Sequence, residues 1–214
     1  MTHTLAVSGL TIHHGTEALC HTLSFTVAPR EVVTLMGPSG CGKSTILSWI
    51  SGALAPAFKA TGELSLGGRS LSGLPVEKRG IAILFQDDLL FPHMTVLENL
   101  LFALPGGKPG QRRAKALQVL TDLGLAELAH RHPTALSGGQ KARISLMRAL
   151  ISRPDALLLD EPFSKLDKPL RKSFRAFVFD QITAMGIPAL LVTHDEDDIP
   201  EGGRLIRLET QEKR

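Results

Sequence analysis

The nonapeptide "GPSGCGKST" at residues 37–45 follows the apolar run "VVTLM" and heads the helix-like stretch "KSTILSWISGAL". It constrains this chain more than any other feature. A glycine-rich turn between a buried strand and a helix start exposes a row of backbone N–H groups, a form that cradles polyphosphate. Gly37, Gly40 and Gly42 let the backbone wrap close to the phosphates, Lys43 reaches the outer ones, and Ser44 offers its hydroxyl to Mg²⁺. A ligand-free strand-to-helix turn is disfavoured by the number of matched positions in this strand–loop–helix context.

Around that loop the chain reads as alternating α and β structure. Short β-like runs, "LAVSGL", "LSFTV", "EVVTLM" and "GELSLG", occupy the first third, and "GIAILF" at 80–85 reads as a buried strand. The stretch from Thr95 to about Ile151 is helical in pattern, broken by "PGGKPGQ" and "HRHPTA", and suggests an inserted helical subdomain. "DALLLDE" and "PALLVTH" flank a helical segment from Lys168 to Met185, a β-α-β unit that implies a parallel sheet with ligand chemistry at its carboxyl edge.

Composition narrows the class. A chain of 214 residues fits one domain with a subdomain, and no apolar run approaches the roughly 18 residues needed to span a bilayer. The start, "MTHTLAVSGLTIHHG", lacks the features of a secretion signal, so a cytoplasmic location is expected. Cys20 and Cys41 are too few for a disulfide framework and have no metal-ligand spacing. The net charge of +3 comes from scattered Lys and Arg and requires no nucleic acid, although it also suits a position beside an anionic membrane leaflet.

Other strand ends carry polar groups. Asp160 ends "ALLLD", where a magnesium shell can use its carboxylate, and Glu161 follows, turned to polarise an attacking water. Alone, an Asp-Glu pair reads more readily as a turn after a strand, and only the upstream phosphate loop reverses that weighting. Gln86 ends "IAILFQ" and His194 ends "LLVTH", and either alone is open to a structural reading. Together with the phosphate loop they supply groups for one phosphate, one metal and one water, as a nucleotide triphosphatase needs.

"LSGGQ" at 136–140 has two readings. Ser137 with Gln140 three residues later is a legitimate capping box, with Ile144, Leu146, Met147, Leu150 and Ile151 as the apolar side of the following helix. The paired glycines Gly138 and Gly139 equally present bare N–H groups to an anion, yet the pentapeptide holds no lysine.

In order along the chain, "GPSGCGKST", "LFQDDLLFPHMTVLENL", "LSGGQ", "ALLLDEP", "SKLD" and "VTHD" resemble the Walker A, Q-loop, signature, Walker B, D-loop and H-loop motifs of the ATP-binding subunits of ABC transporters. Phrases such as "FPHMTVLENL" look most like the import-type branch. The resemblance implies an α/β P-loop NTPase of the ABC ATPase type with an N-terminal antiparallel β subdomain and an inserted α-helical subdomain. Residues 1–86 and 152–214 would form the core and about 87–151 the helical part.

The family implies ATP and Mg²⁺ as ligands, with Gly37, Pro38, Ser39, Gly40, Cys41, Gly42, Lys43, Ser44 and Thr45 around the phosphates. Ser44, Gln86 and Asp160 would serve the metal, Glu161 would be the general base, His194 the γ-phosphate contact, and Gln86 the sensor of metal and water. Ser137, Gly138, Gly139 and Gln140 would bind the γ-phosphate of an ATP held by the other protomer of a homodimer, and Asp167 would link the two sites. Transmembrane permease subunits, reached through the segment beginning at Gln86, and a periplasmic solute-binding protein are the implied partners, with the chain peripheral on the inner face of the cell membrane.

Some positions depart from the family pattern. Lys165 stands in "SKLD" where small residues are usual, Arg30 stands where glycine precedes the strand, and His14 takes the place of the aromatic ring that stacks on adenine. The ending "RLIRLETQEKR" is read as leaving no room for a C-terminal regulatory domain. The rival reading is an ABC-type ATPase outside transport, a DNA-repair or chromosome head or a translation factor. The long coiled coils or second cassette of those proteins are not seen in this sequence.

Overall fold

The computed structural model describes residues 3–19 and 21–208, so Cys20 lies outside the described residues. In chain order the strands and helices are β1 (Leu5–His14), β2 (Glu17–Ala18), β3 (Leu23–Val27), β4 (Val32–Met36), α1 (Lys43–Ser51), β5 (Phe58–Leu66), β6 (Arg69–Ser70) and β7 (Ile81–Leu84). They continue as α2 (Val96–Ala103), α3 (Pro109–Asp122), α4 (Gly138–Ile151), β8 (Ala156–Asp160), α5 (Lys168–Met185), β9 (Ala189–Val192) and β10 (Arg204–Arg207).

Two sheets follow from two burial patterns. In β3, "LSFTV" alternates buried and exposed residues, the mark of an antiparallel strand with one wet face. It joins β1, which also pairs with β2 and β5, and β6 extends β5. By contrast β4 and β9 are buried at every position, as strands covered on both faces must be. They lie inside a parallel sheet of order β10-β4-β9-β8-β7.

The core divides accordingly. Leu35, Leu158, Leu190 and Val192 point from the parallel sheet toward α1 and the antiparallel sheet, packing with Ile46, Ile50, Phe25 and Leu64. Leu157, Leu159 and Leu191 point the other way, onto Leu146, Phe174 and Val178 of α4 and α5. The helices α2, α3 and α4 share a third cluster around Leu97, Leu100, Leu120 and Ile144. Helix α4 thus gives Leu146 and Leu150 to one cluster and Ile144 and Ile151 to another.

Some elements differ from expectation. Strand β1 runs past "LAVSGL" to His14, because the register with β3 and β5 shifts around Gly9 and the strand resumes beyond the bulge. Helix α1 stops at Ser51, where Gly52 turns left-handed (φ 89°) and its N–H caps Ser48 and Trp49, short of the expected Leu54. The unanticipated β10 pairs with β4. Among the described residues no helix is long and apolar enough to cross a membrane.

Candidate nucleotide site

Sheet register brings the polar strand ends to one edge. Leu35 pairs with Val192, Val192 with Asp160, and Leu159 with Leu84. The residues just beyond, Gly37, His194, Glu161 and Gln86, therefore emerge along the same carboxyl edge, the usual ligand position in an open α/β sheet.

The phosphate loop is shaped by contact and by backbone. A Cβ on Gly37 would meet Cys41 Sγ and the Leu208 carbonyl, each at 2.7 Å, so only glycine fits beside the buried thiol. Gly42 turns left-handed (φ 92°) directly before α1, whose first N–H groups receive no side-chain cap. Those orphan donors and the positive end of α1 suit a phosphate. Pro38, Ser39 and Gly40 form the exposed crest, and Thr45 is half-buried in the first turn of α1. Lys43 is nearly buried, and its Nζ donates to the carbonyls of Gly37 at 2.7 Å and Pro38 at 2.9 Å. The ammonium is thus held at the mouth of the cradle by neutral acceptors, which an anion can displace.

Ser44 Oγ donates to Asp160 Oδ1 at 3.2 Å. Burial pushes the Asp160 carboxyl above the usual aspartate range, the Ser44 hydroxyl pulls it down, Glu161 raises it, and Lys43 lowers it. A hydroxyl and a half-buried carboxylate with unbalanced charge are the hard oxygen donors that fit Mg²⁺ shared with substrate phosphates. Glu161 follows in a left-handed conformation (φ 48°), fixed by its N–H to the Val192 carbonyl at 2.9 Å and by Ser164 Oγ donating to its own carbonyl at 2.9 Å. That turn brings Glu161 Oε2 to 3.3 Å from His194 Nδ1.

The remaining positions are spread. Gln86 is exposed beside a cavity of about 210 Å³ that Gly138, Lys141, Lys165 and Phe174 also line. Lys165 forms an ion pair with Asp87, so the unexpected D-loop charge meets a partner in its own chain. Asp167 caps α5, its Oδ1 accepting from Leu170 N–H at 3.0 Å. Both halves of the Ser137 capping box form: Ser137 N–H donates to Gln140 Oε1 at 2.9 Å and Gln140 N–H to Ser137 Oγ at 3.3 Å. Gly138 faces open space, while Gly139 lies against Leu170. Among the described residues no hydrogen bond links 137–140 to 37–45. His14 ends β1, exposed, with its ring 5.2 Å from that of Phe58.

Sequence reasoning missed two features. One is the buried Arg171–Asp198 pair behind His194, whose only local signal is the acidic run after the histidine. The other is the row of exposed large hydrophobic residues Val76, Phe85, Leu89 and Phe102 along a groove that the segment beginning at Gln86 borders.

A phosphate loop on a parallel sheet, with a hydroxyl, two carboxylates and a histidine along the same edge, defines a P-loop nucleotide-binding protein of the α/β class. Residues 20–164 match the family model described as ABC transporter. An ABC transporter ATP-binding protein of Escherichia coli K12, YnjD, itself called uncharacterised, is 49% identical over 92% of this chain and 91% of its own length. The Fe(3+) ions import ATP-binding protein FbpC of Brucella abortus strain 2308 is 43% identical, and that of Agrobacterium fabrum 42%. Each of those two alignments covers 82% of this chain, which spans half the length of these relatives. The chain belongs to the ABC transporter family and is an ATP-binding subunit of that family.

Proposed function

We propose that the chain hydrolyses ATP to ADP and phosphate and thereby energises solute uptake through a separate permease. The observation that carries this reading is the double pairing at the sheet edge, Ser44 with Asp160 and Glu161 with His194, beside the Lys43 cradle. Lys43, the loop amides of 37–42 and Thr45 hold the phosphates, and His14 lies against the base. Ser44, Asp160 and Gln86 would hold Mg²⁺, which would supply charge neutralisation at the phosphate oxygens. Glu161 takes the proton of the attacking water, Gln86 orients that water, and His194 steadies the γ-phosphate.

Residues 137–140 serve a second copy of the chain. With the helix N-terminus behind them, Ser137, Gly138, Gly139 and Gln140 cap an ATP anchored by the partner's phosphate loop, and Asp167 lies between the two sites of the homodimer. The helical subdomain of about 87–151 carries that loop. Uptake is supported by the relatives named as import ATP-binding proteins. The groove with Phe85, Leu89 and Phe102 offers apolar area for a permease helix, which would hold the chain against the inner face of the membrane, where a periplasmic binding protein delivers solute from the far side.

Glu161→Gln tests the reading, since it keeps shape and removes the base. Turnover should fall about 10²–10⁴-fold while ATP binding persists. Near-normal phosphate release from that variant would sink the assignment of Glu161.

A further inference from the structure

Behind His194 lies a buried polar network. Asp198 is 1% exposed, and two side chains converge on its carboxylate at full hydrogen-bond strength. Arg171 Nε donates to Oδ1 at 2.9 Å and Arg171 Nη2 to Oδ2 at 2.6 Å, while Thr193 Oγ1 donates to Oδ2 at 2.7 Å. The same Nη2 lies 2.9 Å from Asp195 Oδ2, and Asp195 N–H donates to Thr193 Oγ1 at 3.2 Å. Arg175 stands further off, its Nη1 3.7 Å from Asp198 Oδ1. Of the two neighbours of His194 in the chain, Thr193 is bonded to this buried carboxylate directly and Asp195 is tied to it through Arg171 and Thr193.

The His194 side chain is itself 61% exposed, so packing around the ring does not set its direction. Apart from the 3.3 Å approach of Nδ1 to Glu161 Oε2, the backbone must do so. A bidentate guanidinium–carboxylate pair is a strong and orientation-specific contact, and a carboxylate buried this deeply is expensive to leave unpaired. The network therefore holds one arrangement. Arg171 also stands one helical turn after Asp167, its N–H donating to the Asp167 carbonyl at 2.8 Å, so the grip starts in the turn that the D-loop caps.

We infer that Arg171 is a positioning residue for His194, acting through Asp198, Thr193 and Asp195, and that it joins the histidine to the first turn of α5. Its kinetic consequence rests on His194 contacting the γ-phosphate, as proposed above. A shift of the D-loop turn moves the loop that carries the ring.

The test uses the full chain. The imidazole NMR signals of His194 are assigned by their loss in His194→Ala, and ATP affinity and turnover are measured separately. Arg171→Lys keeps the charge but loses the fork, and Thr193→Val keeps the shape but loses the hydroxyl, so a folding failure of one leaves the other. Both variants should shift the His194 signals, and kcat should fall about 10- to 100-fold, the scale of a misplaced catalytic group, while ATP affinity changes less than about threefold. In the His194→Ala background Arg171→Lys should lower kcat by less than about twofold more. Unmoved ring signals in a folded variant overturn the inference, as does a kcat loss that persists undiminished without His194. Should His194→Ala hydrolyse ATP at the wild-type rate, the γ-phosphate reading fails instead, and the ring signals alone decide the role of Arg171.

Discussion

Ser44 Oγ donates to Asp160 Oδ1 across 3.2 Å, joining the start of α1 to the carboxyl end of β8. The contact leaves Asp160 with one neutral partner for a carboxylate that burial keeps above its usual pKa. A carboxyl whose folded pKa is raised binds more protons in the folded state, so its contribution to stability is present in acid and is lost as pH rises through the folded value. Without Mg²⁺ or nucleotide, Asp160→Asn should therefore melt higher than the wild type near pH 8, with the gain shrinking below the ordinary aspartate range near pH 4. A melting difference that grows in acid would contradict the sign.

The intact capping box at Ser137 holds the signature loop in helical geometry before any ligand arrives. If that loop serves the partner's ATP, mixing Lys43→Ala chains with Ser137→Arg chains yields dimers with one doubly damaged and one intact site. Such mixtures should associate on adding ATP and recover part of the turnover, whereas each variant alone should not. Light scattering that shows no association beyond either variant alone would place the loop in cis.

Arg30 adopts a left-handed backbone (φ 66°) at the turn before β4 and is exposed. A non-glycine residue there costs about 1–2 kcal/mol, and glycine's extra freedom in the unfolded chain offsets roughly 0.5–1 kcal/mol of the relief. Arg30→Gly should thus raise stability by about 0.5–1 kcal/mol and Tm by roughly 1–4 °C. An unchanged or lower Tm by calorimetry would show that the arginine side chain compensates.

His14 closes β1 with its ring against Phe58, directly opposite it in the β1–β5 register. Imidazole covers less of a base than a larger ring, and base–aromatic contacts are worth about 1–3 kcal/mol. His14→Tyr should tighten ATP binding roughly fivefold, about 1 kcal/mol, and His14→Ala should loosen it modestly, with ATP and GTP nearly equal in the wild type. Nucleotide affinities that move in neither variant would mean the base is held elsewhere.

Much of the edge was legible because its residues announce themselves locally. A glycine-rich turn after "VVTLM" and the carboxylates that end "ALLLDE" need only their immediate neighbours to be recognised, and the register of β4, β9, β8 and β7 then aligned them. The contacts of Lys165 with Asp87 and Arg171 with Asp198 span 78 and 27 positions, beyond the reach of any local periodicity. Strand β1 was read short for a different reason: Gly9 marks a bulge inside a strand, yet "SGL" taken alone looks like its end.

Helix α4, with one row of side chains in the sheet-side cluster and another among α2 and α3, has no free side on which to roll. A motion that displaces its N-terminal end would therefore be a tilt, with the helix as a stiff lever and Ser137 at its tip. At 1.5 Å per residue a helix of 14 residues is about 21 Å long, so a tilt of roughly 10° about its far end carries the tip about 4 Å. That distance exceeds the length of a hydrogen bond, so if the "LSGGQ" amides serve an anion as proposed, a small swing of this one rod would decide whether they meet it or water.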